Sequence, residues 1–220
     1  MEKSGTISPL AAVLAVVASF FLVEFLGGAA FLLVGYPIVQ AIAELLVLVI
    51  PLSYMLHKRV NIKNFIAFDT KPSNILLGIS LGAALFLFDV FTTSGLTLVF
   101  GTSAAVQESN NLITNASRSS PSLIVVIVSL LLAGICEEFT FRGFLQTAIN
   151  NKYPFWIALL ASSVAFGFFH FDPQAVYTVG AFLMGLLLGY IYHHWHSYAT
   201  NVAAHATIDL ITLAILVLVK

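Results

Sequence analysis

Seven apolar segments follow one another along the chain, and their lengths constrain the fold more than any other feature. They cover roughly residues 7–34, 37–57, 73–100, 121–149, 155–171, 174–194 and 198–219. An α-helix needs about 20 residues to cross the hydrocarbon core of a bilayer, and these segments approach or exceed that length. Charged residues make up 9% of the chain, against about 25% in soluble domains. The sequence therefore predicts an all-α, polytopic membrane protein with about seven transmembrane helices.

The segment boundaries divide the chain into two parts of one membrane domain. Four prolines stand at or just inside segment starts, where the missing N–H does little harm: Pro37, Pro121, Pro154 and Pro173. Longer polar stretches at 57–72 and 102–120 interrupt the apolar pattern. We therefore expect about three N-terminal transmembrane helices in residues 1–120 and a C-terminal core in residues 121–220. The first segment is too long for the h-region of a signal peptide, which predicts a retained first helix.

The distribution of basic residues predicts the orientation of the helices. If the N-terminus is cytoplasmic and the helices alternate, six basic residues fall inside: Lys3, Lys58, Arg59, Lys63, Lys71 and Lys152. Only Arg118 and Lys220 then fall outside, which satisfies the positive-inside rule. We expect a multi-pass protein of the cell membrane whose basic cytoplasmic loop at 57–72 lies along the membrane surface or forms a plain loop. A net charge of −1 gives no sign of nucleic-acid binding.

Ionisable side chains inside the fourth segment carry the first sign of function. Glu137 and Glu138 are adjacent in an apolar run, and Arg142 follows Glu138 by one helical turn. A charged side chain at membrane depth costs about 2.5–3.5 kcal/mol on insertion scales, and each carboxylate disfavours ionisation of the other. A structural ion-pair network is the alternative, but two carboxylates for one arginine are poorly balanced. The pattern therefore favours a chemical role.

A histidine in the fifth segment is spaced to face this unit. Glu137 precedes the turn at 153–154 by 16 or 17 residues, and His170 follows the turn by the same number. Helices rise about 1.5 Å per residue, so equal offsets in an antiparallel pair give equal depth. We therefore expect Glu137 and His170 to face each other on neighbouring helices.

The last segment adds a polar stripe. Asn201, His205 and Asp209 recur at a spacing of four residues, so they share one helix face. Buried ionisable groups pair with one another or line a wet cavity, and a single cavity shared with Glu137 and His170 is the simplest arrangement. The alternatives are a mutual bond between His205 and Asp209 and a purely structural role for Asn201.

Other polar residues in apolar runs lie outside these patterns. We expect Glu24, Glu44 and Asp89 to line the cavity or to bond backbone groups rather than to take part in catalysis. Cys136 adjoins the carboxylate pair, but no base lies at helical spacing from it, so a packing role is expected.

The three patterns together resemble the motifs of a known membrane family. Residues 137–142, Glu-Glu-Phe-Thr-Phe-Arg, match an EExxxR motif, and residues 166–170, Phe-Gly-Phe-Phe-His, match FxxxH. Residues 205–209, His-Ala-Thr-Ile-Asp, match HxxxN or HxxxD. In this order and on apolar helices, they resemble the CPBP family of CaaX-protease and bacteriocin-processing proteins, also called the Abi family, over residues 121–215. The resemblance implies an intramembrane endopeptidase with its catalytic core in residues 121–220.

The resemblance also implies roles for the motif residues and a class of substrate. The first glutamate and the first histidine would activate the hydrolytic water, the second glutamate and the arginine would orient that pair, and the last two residues would face the oxyanion or a metal. The implied catalytic residues are Glu137, Glu138, Arg142, His170, His205 and Asp209. The expected partners are the lipid bilayer and a membrane-embedded, lipidated or C-terminal peptide.

General chemistry fits such a site and keeps one alternative open. Peptide hydrolysis needs a general base, a proton carrier and stabilisation of the oxyanion. Arg142 can hold Glu138 ionised through a charge-assisted bond, which leaves Glu137 as the proton acceptor. An ionised Asp209 would repel an oxyanion, so Asp209 is protonated, orients His205 or binds a metal. Because no His-Glu-x-x-His is present, the pattern favours a glutamate mechanism without a cofactor; the alternative is Zn²⁺ held by Glu137, His170 and His205.

Two functions of other classes also fit the pattern. One is a non-catalytic bacteriocin-immunity or scaffold protein that retains the motifs by descent. The other is a proton- or ion-coupled transporter that uses intramembrane carboxylates and histidines as a relay. A transporter built from repeats is expected to carry titratable groups in both halves, whereas here they concentrate in the second half. The protease is therefore the favoured interpretation.

Overall fold

The computed structural model describes residues 6–218, and these residues form helices with no strand among them. The main helices are α1 (Pro9–Phe31), α2 (Tyr36–His57), α3 (Pro72–Phe100), α4 (Ala104–Ala116), α5 (Ser120–Asn150), α6 (Phe155–Phe169), α7 (Val176–Trp195) and α8 (Tyr198–Leu218). Within the described part, six of them are long and apolar enough to cross a membrane, the exceptions being α4 and α6. The prediction of an all-α, polytopic membrane protein is confirmed.

Helix α6 is the short member of the bundle. Its 15 residues span about 22 Å, which is less than the roughly 30 Å of a bilayer core. It ends two residues earlier than the apolar run, and His170 follows directly as the helix cap. At this end of α6, the His170 ring lies beside Tyr177 of α7, with the ring centroids 4.9 Å apart.

Asp172 organises the turn between α6 and α7. Its carboxylate accepts hydrogen bonds from the backbone N–H groups of Gln174 (3.1 Å) and Tyr177 (3.0 Å). Burial would raise the pKa of Asp172, but these bonds and a bond from the Ser103 hydroxyl outweigh it, so the pKa lies below its ordinary value. The ionised side chain thus holds the start of α7 and joins it to the loop before α4.

The polar stretch at 102–120 contains a helix that its composition did not predict. Helix α4 begins where the Ser103 hydroxyl accepts a hydrogen bond from the Val106 N–H, which is a usual N-terminal cap. Its apolar side packs against α2, and the Tyr36 hydroxyl lies 3.5 Å from the Ser109 hydroxyl. Helix α4 therefore covers one end of the bundle.

The basic stretch at 57–72 contains one helical turn and contributes residues to the core. A single helical turn, Ile62–Phe65, is capped by the Asn61 side chain. Val60 and Ile66 on either side are buried in the core. Farther along, the Ala67 carbonyl accepts the Tyr198 N–H at 3.0 Å, so this loop closes the end of the bundle where α8 begins.

Contacts between the loops that connect the seven apolar segments agree with successive helices that run in alternating directions. The bond from Tyr198 to Ala67 joins the second and sixth connections between the seven apolar segments. The Tyr36–Ser109 contact and the Ser103–Asp172 bond join connections at the opposite end. Which end faces the cytoplasm stays a prediction. Lys3 and Lys220, which belong to that prediction, lie outside the described residues.

The closest packing in the bundle joins α3 to α8. Gly78 and Gly82 lie one turn apart on α3, and each faces the α8 backbone. A Cβ atom at Gly82 would lie 2.5 Å from the Ala204 carbonyl oxygen, and one at Gly78 would meet the Thr200 carbonyl oxygen. This small-xxx-small spacing lets two membrane helices approach closely, and it fixes α8, which carries His205.

Candidate active site

Helix α5 widens into a π-helix directly after the carboxylate pair. The π-helical segment covers Phe139–Gln146, and every residue from Cys136 to Gln146 is buried. Arg142 donates a hydrogen bond to the Gly185 carbonyl (3.2 Å), and Gln146 donates one to the Gly189 carbonyl (2.9 Å). The π-helical segment therefore docks on α7 at two successive turns. Such segments are rare and occur frequently at functional sites.

Glu138 is the centre of a buried polar network. Its carboxylate accepts hydrogen bonds from Arg142 Nη1 (2.6 Å), His205 Nδ1 (2.8 Å) and Asn201 Nδ2 (3.0 Å). Arg142 also lies over the Phe166 ring, at 4.4 Å from its centroid. Since an ionised carboxylate only accepts, Nδ1 of His205 carries a proton. Glu138 is thus fully occupied in holding the arginine, the histidine and the amide in place.

Glu137 is in a different situation, although it is the next residue along the chain. Its Oε2 atom is buried and has no hydrogen-bond partner in the described part of the chain. Nε2 of His205 lies 3.7 Å from this oxygen. Glu137 also lines a cavity of about 450 Å³, which lies in the size range of ligand sites. Of the two carboxylates, Glu137 is therefore the one with an unpartnered oxygen and a place in the cavity wall.

His170 shares this cavity with Glu137. Its Nδ1 lies 2.9 Å from the Phe166 carbonyl oxygen, which can only accept, so Nδ1 carries the proton. In the neutral ring, Nε2 is then left as an acceptor. In the described part of the chain, no direct hydrogen bond joins Glu137 and His170. Both side chains line the same cavity, as a water-mediated contact between them requires.

Asp209 faces the same histidine as the two glutamates. Its Oδ2 lies 3.7 Å from Nε2 of His205, one helical turn earlier on α8. His205 thus has Glu138 at one ring nitrogen and both Glu137 and Asp209 near the other. The structure brings five of the six expected site residues into one cluster and places the sixth, His170, in the adjoining cavity wall.

Three residues near the site were not among the expected catalytic residues. Asn201 bonds both Glu138 and the Leu188 carbonyl (2.7 Å), so its role is to position the carboxylate. Gln146 accepts a hydrogen bond from Ser162 (3.0 Å) and fixes the π-helical segment. Glu44 lines the cavity from α2. The sequence carried a signal for two of them: Asn201 lies four residues before His205, and Gln146 lies four residues after Arg142, so each shares a helix face with an expected site residue.

The donor atoms do not form a metal site in this arrangement. Among residues 6–218, no group of three or more His, Cys, Asp and Glu side chains is placed to hold a metal ion. In the alternative set of Glu137, His170 and His205, Nδ1 of each histidine is engaged, by Phe166 or by Glu138, so Nε2 of each ring is the nitrogen left for a metal. The choice between a glutamate mechanism and Zn²⁺ stays a prediction.

Comparison with known proteins matches the part of the chain that carries this cluster. Residues 119–211 match the family model described as Rce1-like, Type II CAAX prenyl endopeptidase. This segment is similar to that family. The match spans α5 to α7 and most of α8, includes all six expected site residues, and confirms the resemblance to CaaX-protease proteins. The preceding helices lie outside it.

One curated relative is similar to about two thirds of the chain. An uncharacterized protein of Mycoplasma capricolum subsp. capricolum is 23% identical over 156 residues, which are 67% of this chain and 45% of that protein. The chain thus spans less than half the length of the curated relative it matches. No solved structure matches the chain.

Proposed function

We propose that this protein is a CAAX-protease-like intramembrane endopeptidase that hydrolyses a peptide bond with water activated by Glu137. The observation that carries the proposal is the division between the two adjacent glutamates. Glu138 has three hydrogen-bond donors, whereas Glu137 has an unpartnered oxygen beside a cavity. A general base needs a free lone pair within reach of water and substrate, and of the two adjacent glutamates Glu137 is the one that offers it.

The proposed reaction begins with a water held between Glu137 and Nε2 of His170. Glu137 takes a proton from this water while the water oxygen attacks the scissile carbonyl carbon. The C=O electron pair moves to oxygen, which gives a tetrahedral oxyanion. When the C–N bond breaks, the proton held by Glu137 passes to the leaving amine. The products are a carboxylic acid and a free amine, so the sum of the steps is simple hydrolysis.

His205 stabilises the oxyanion in this proposal. Because carboxylates lie near both of its ring nitrogens, His205 is suited to carry both protons and to donate from Nε2. Preorganised donors of this kind each contribute about 10²–10³ in rate in other hydrolases. Glu138, Arg142 and Asn201 hold the ring, and Asp209 orients Nε2 from the far side. Asp209 acts on the histidine and not on the oxyanion.

The substrate is proposed to be a membrane-embedded or lipidated peptide, and no cofactor is included. The test is cleavage of a reporter peptide by the purified full-length protein in detergent or nanodiscs. We expect Glu137→Gln and His170→Ala to lose cleavage and the matched variant Glu24→Gln, which alters an exposed residue of α1, to keep it. Full activity of folded Glu137→Gln would contradict the mechanism. Absence of cleavage by folded wild-type protein across a peptide library would favour the non-catalytic alternative.

A further inference from the structure

The cavity beside Glu137 is acidic. Three carboxylates belong to its wall, Glu44 from α2, Glu108 from α4 and Glu137 from α5, and no lysine or arginine lines it in the described part of the chain. Its volume of about 450 Å³ is far above the roughly 30 Å³ that one water occupies in the liquid. The cavity is therefore large enough for part of a substrate.

Glu44 is the buried carboxylate in this wall that the proposed reaction does not use. It is 4% exposed. Its Oε1 accepts a hydrogen bond from Gln40 Nε2 at 2.7 Å, while its Oε2 has no hydrogen-bond partner among residues 6–218. Burying an unpaired charge is costly, and buried charges in proteins are normally paired. A buried carboxylate with one unpartnered oxygen in a cavity wall is thus suited to bind a cation from outside the chain.

The position of Glu44 fits a cation that enters past α4. Tyr36, which meets Ser109 of α4, lies eight residues before Glu44, so Glu44 is about 12 Å deeper along α2. Glu108 is exposed at the α4 end of the same cavity. A positive group would meet Glu108 first and Glu44 farther in. A cleft lined by one sign of charge with low-dielectric walls concentrates the opposite charge.

We propose that Glu44 forms a specificity subsite for a cationic side chain, a lysine or arginine, of the peptide substrate. The peptide nature of the ligand rests on the proposed function. Apolar residues between the polar groups, Ala43, Val47, Val126 and Leu130, suit the aliphatic stem of such a side chain, whose charged end then reaches Glu44. A metal ion is disfavoured as the occupant because the donor atoms around Glu44 do not form a ligand group.

The test uses pairs of peptides that differ only in charge. A membrane-soluble peptide series carries either lysine or norleucine, its uncharged aliphatic counterpart, at one position at a time. Dissociation constants are measured in the Glu137→Gln background, which prevents turnover, and kcat/KM is measured with wild-type protein. At one position we expect lysine to be preferred by about 10- to 100-fold, the range of a hydrogen bond to a charged group. Glu44→Gln should abolish this preference.

Two control variants keep the result interpretable. Glu24→Gln removes the same charge from an exposed site on α1 and should leave the preference unchanged. Glu44→Asp keeps the charge and should retain part of the preference, so it replaces Glu44→Gln if that variant fails to fold.

Each outcome bears on the subsite separately from the proposed activity. Equal binding of lysine and norleucine peptides at every position would overturn the subsite even if cleavage is observed. Binding of Zn²⁺ or Mn²⁺ that depends on Glu44, without a lysine preference, would replace it with a metal site. A lysine preference that depends on Glu44, without cleavage, would support the subsite and count against the endopeptidase.

Discussion

Replacing Glu138 with glutamine removes one negative charge from the point where three donors converge. Arg142 and Glu138 are both 0% exposed, so water cannot compensate for the lost charge. A glutamine oxygen in place of Oε1 can still accept from Arg142 and His205, but its NH₂ group then faces the Asn201 Nδ2 donor. Removing one partner of a buried ion pair costs about 3–5 kcal/mol, because the other charge stays buried and unpaired. We expect Glu138→Gln to destabilise the protein by about 3 kcal/mol, or about 10²-fold in the ratio of folded to unfolded protein.

The neighbouring residue provides the matched control. Glu137→Gln makes the same chemical change one residue earlier, but Oε2 of Glu137 has no hydrogen bond to lose within residues 6–218. An average side-chain hydrogen bond between membrane helices contributes about 0.6 kcal/mol, so the expected loss for Glu137→Gln is below about 1 kcal/mol. The assay is reversible unfolding of each purified variant in mixed micelles, with peptide cleavage measured in parallel.

The two measurements should separate the two glutamates. We expect Glu137→Gln to lose activity while keeping stability, and Glu138→Gln to lose both. The double variant Glu138→Gln/Arg142→Met should recover part of the stability, because it removes both buried charges. Equal free energies of unfolding for the two single variants would refute the reasoning that Glu138 is structural and Glu137 free. Full stability of Glu138→Gln alone would do the same.

Three other predictions address the scaffold, the α6–α7 turn and the cofactor. Gly82→Ala places a methyl group against the α8 backbone and should destabilise the protein by about 1–3 kcal/mol. Gly95→Ala on the same helix, where the added methyl group has nothing within 4 Å, should not destabilise it. Equal unfolding free energies for the two variants would contradict the close packing of α3 on α8. The pKa of Asp172 is lowered in the folded protein. The ionised side chain should therefore stabilise the fold fully above its unfolded pKa of about 3.9, and this stabilisation should be lost as the pH falls through its pKa in the folded protein. The difference in stability between wild type and Asp172→Asn should therefore shrink below about pH 4, and a difference that grows with acid would contradict this sign. Cleavage should persist in a strong chelator; activity lost in chelator and restored by Zn²⁺ would replace the glutamate mechanism with a metal-dependent one.

Much of the fold could be predicted because membrane helices depend on apolar length. The seven segments correspond to helices, and prolines such as Pro37 and Pro121 lie in the first turns of α2 and α5. Helix α4 could not be predicted in the same way, because it is amphipathic and carries many polar residues. The π-helical segment could not be predicted either, since the composition of Phe139–Gln146 does not distinguish it from an α-helix and its bonds to α7 join residues 43 positions apart in the sequence.

The candidate site was predictable where spacing within one helix decides the contact. The pairing of Glu138 with Arg142 and the alignment of His205 with Asp209 follow from a spacing of four residues. Contacts between helices needed the structure: the bond from His205 to Glu138, and the position of Glu44 in the cavity wall, depend on how α2 and α8 pack against α5. The catalytic roles themselves stay predictions that the proposed variants address.

The docking of α5 on α7 has a consequence for how a substrate can enter. Arg142 and Gln146 bond carbonyls exactly one turn apart on α7, and Glu138 is bonded to α8, so these three helices form a fixed wall. Helix α4 also lines the cavity, and it meets α2 through the 3.5 Å contact between Tyr36 and Ser109. None of the proposed reacting groups lies on α4, so a substrate that displaced α4 would leave those groups aligned. Entry past α4 would therefore not dismantle the site that acts on the substrate.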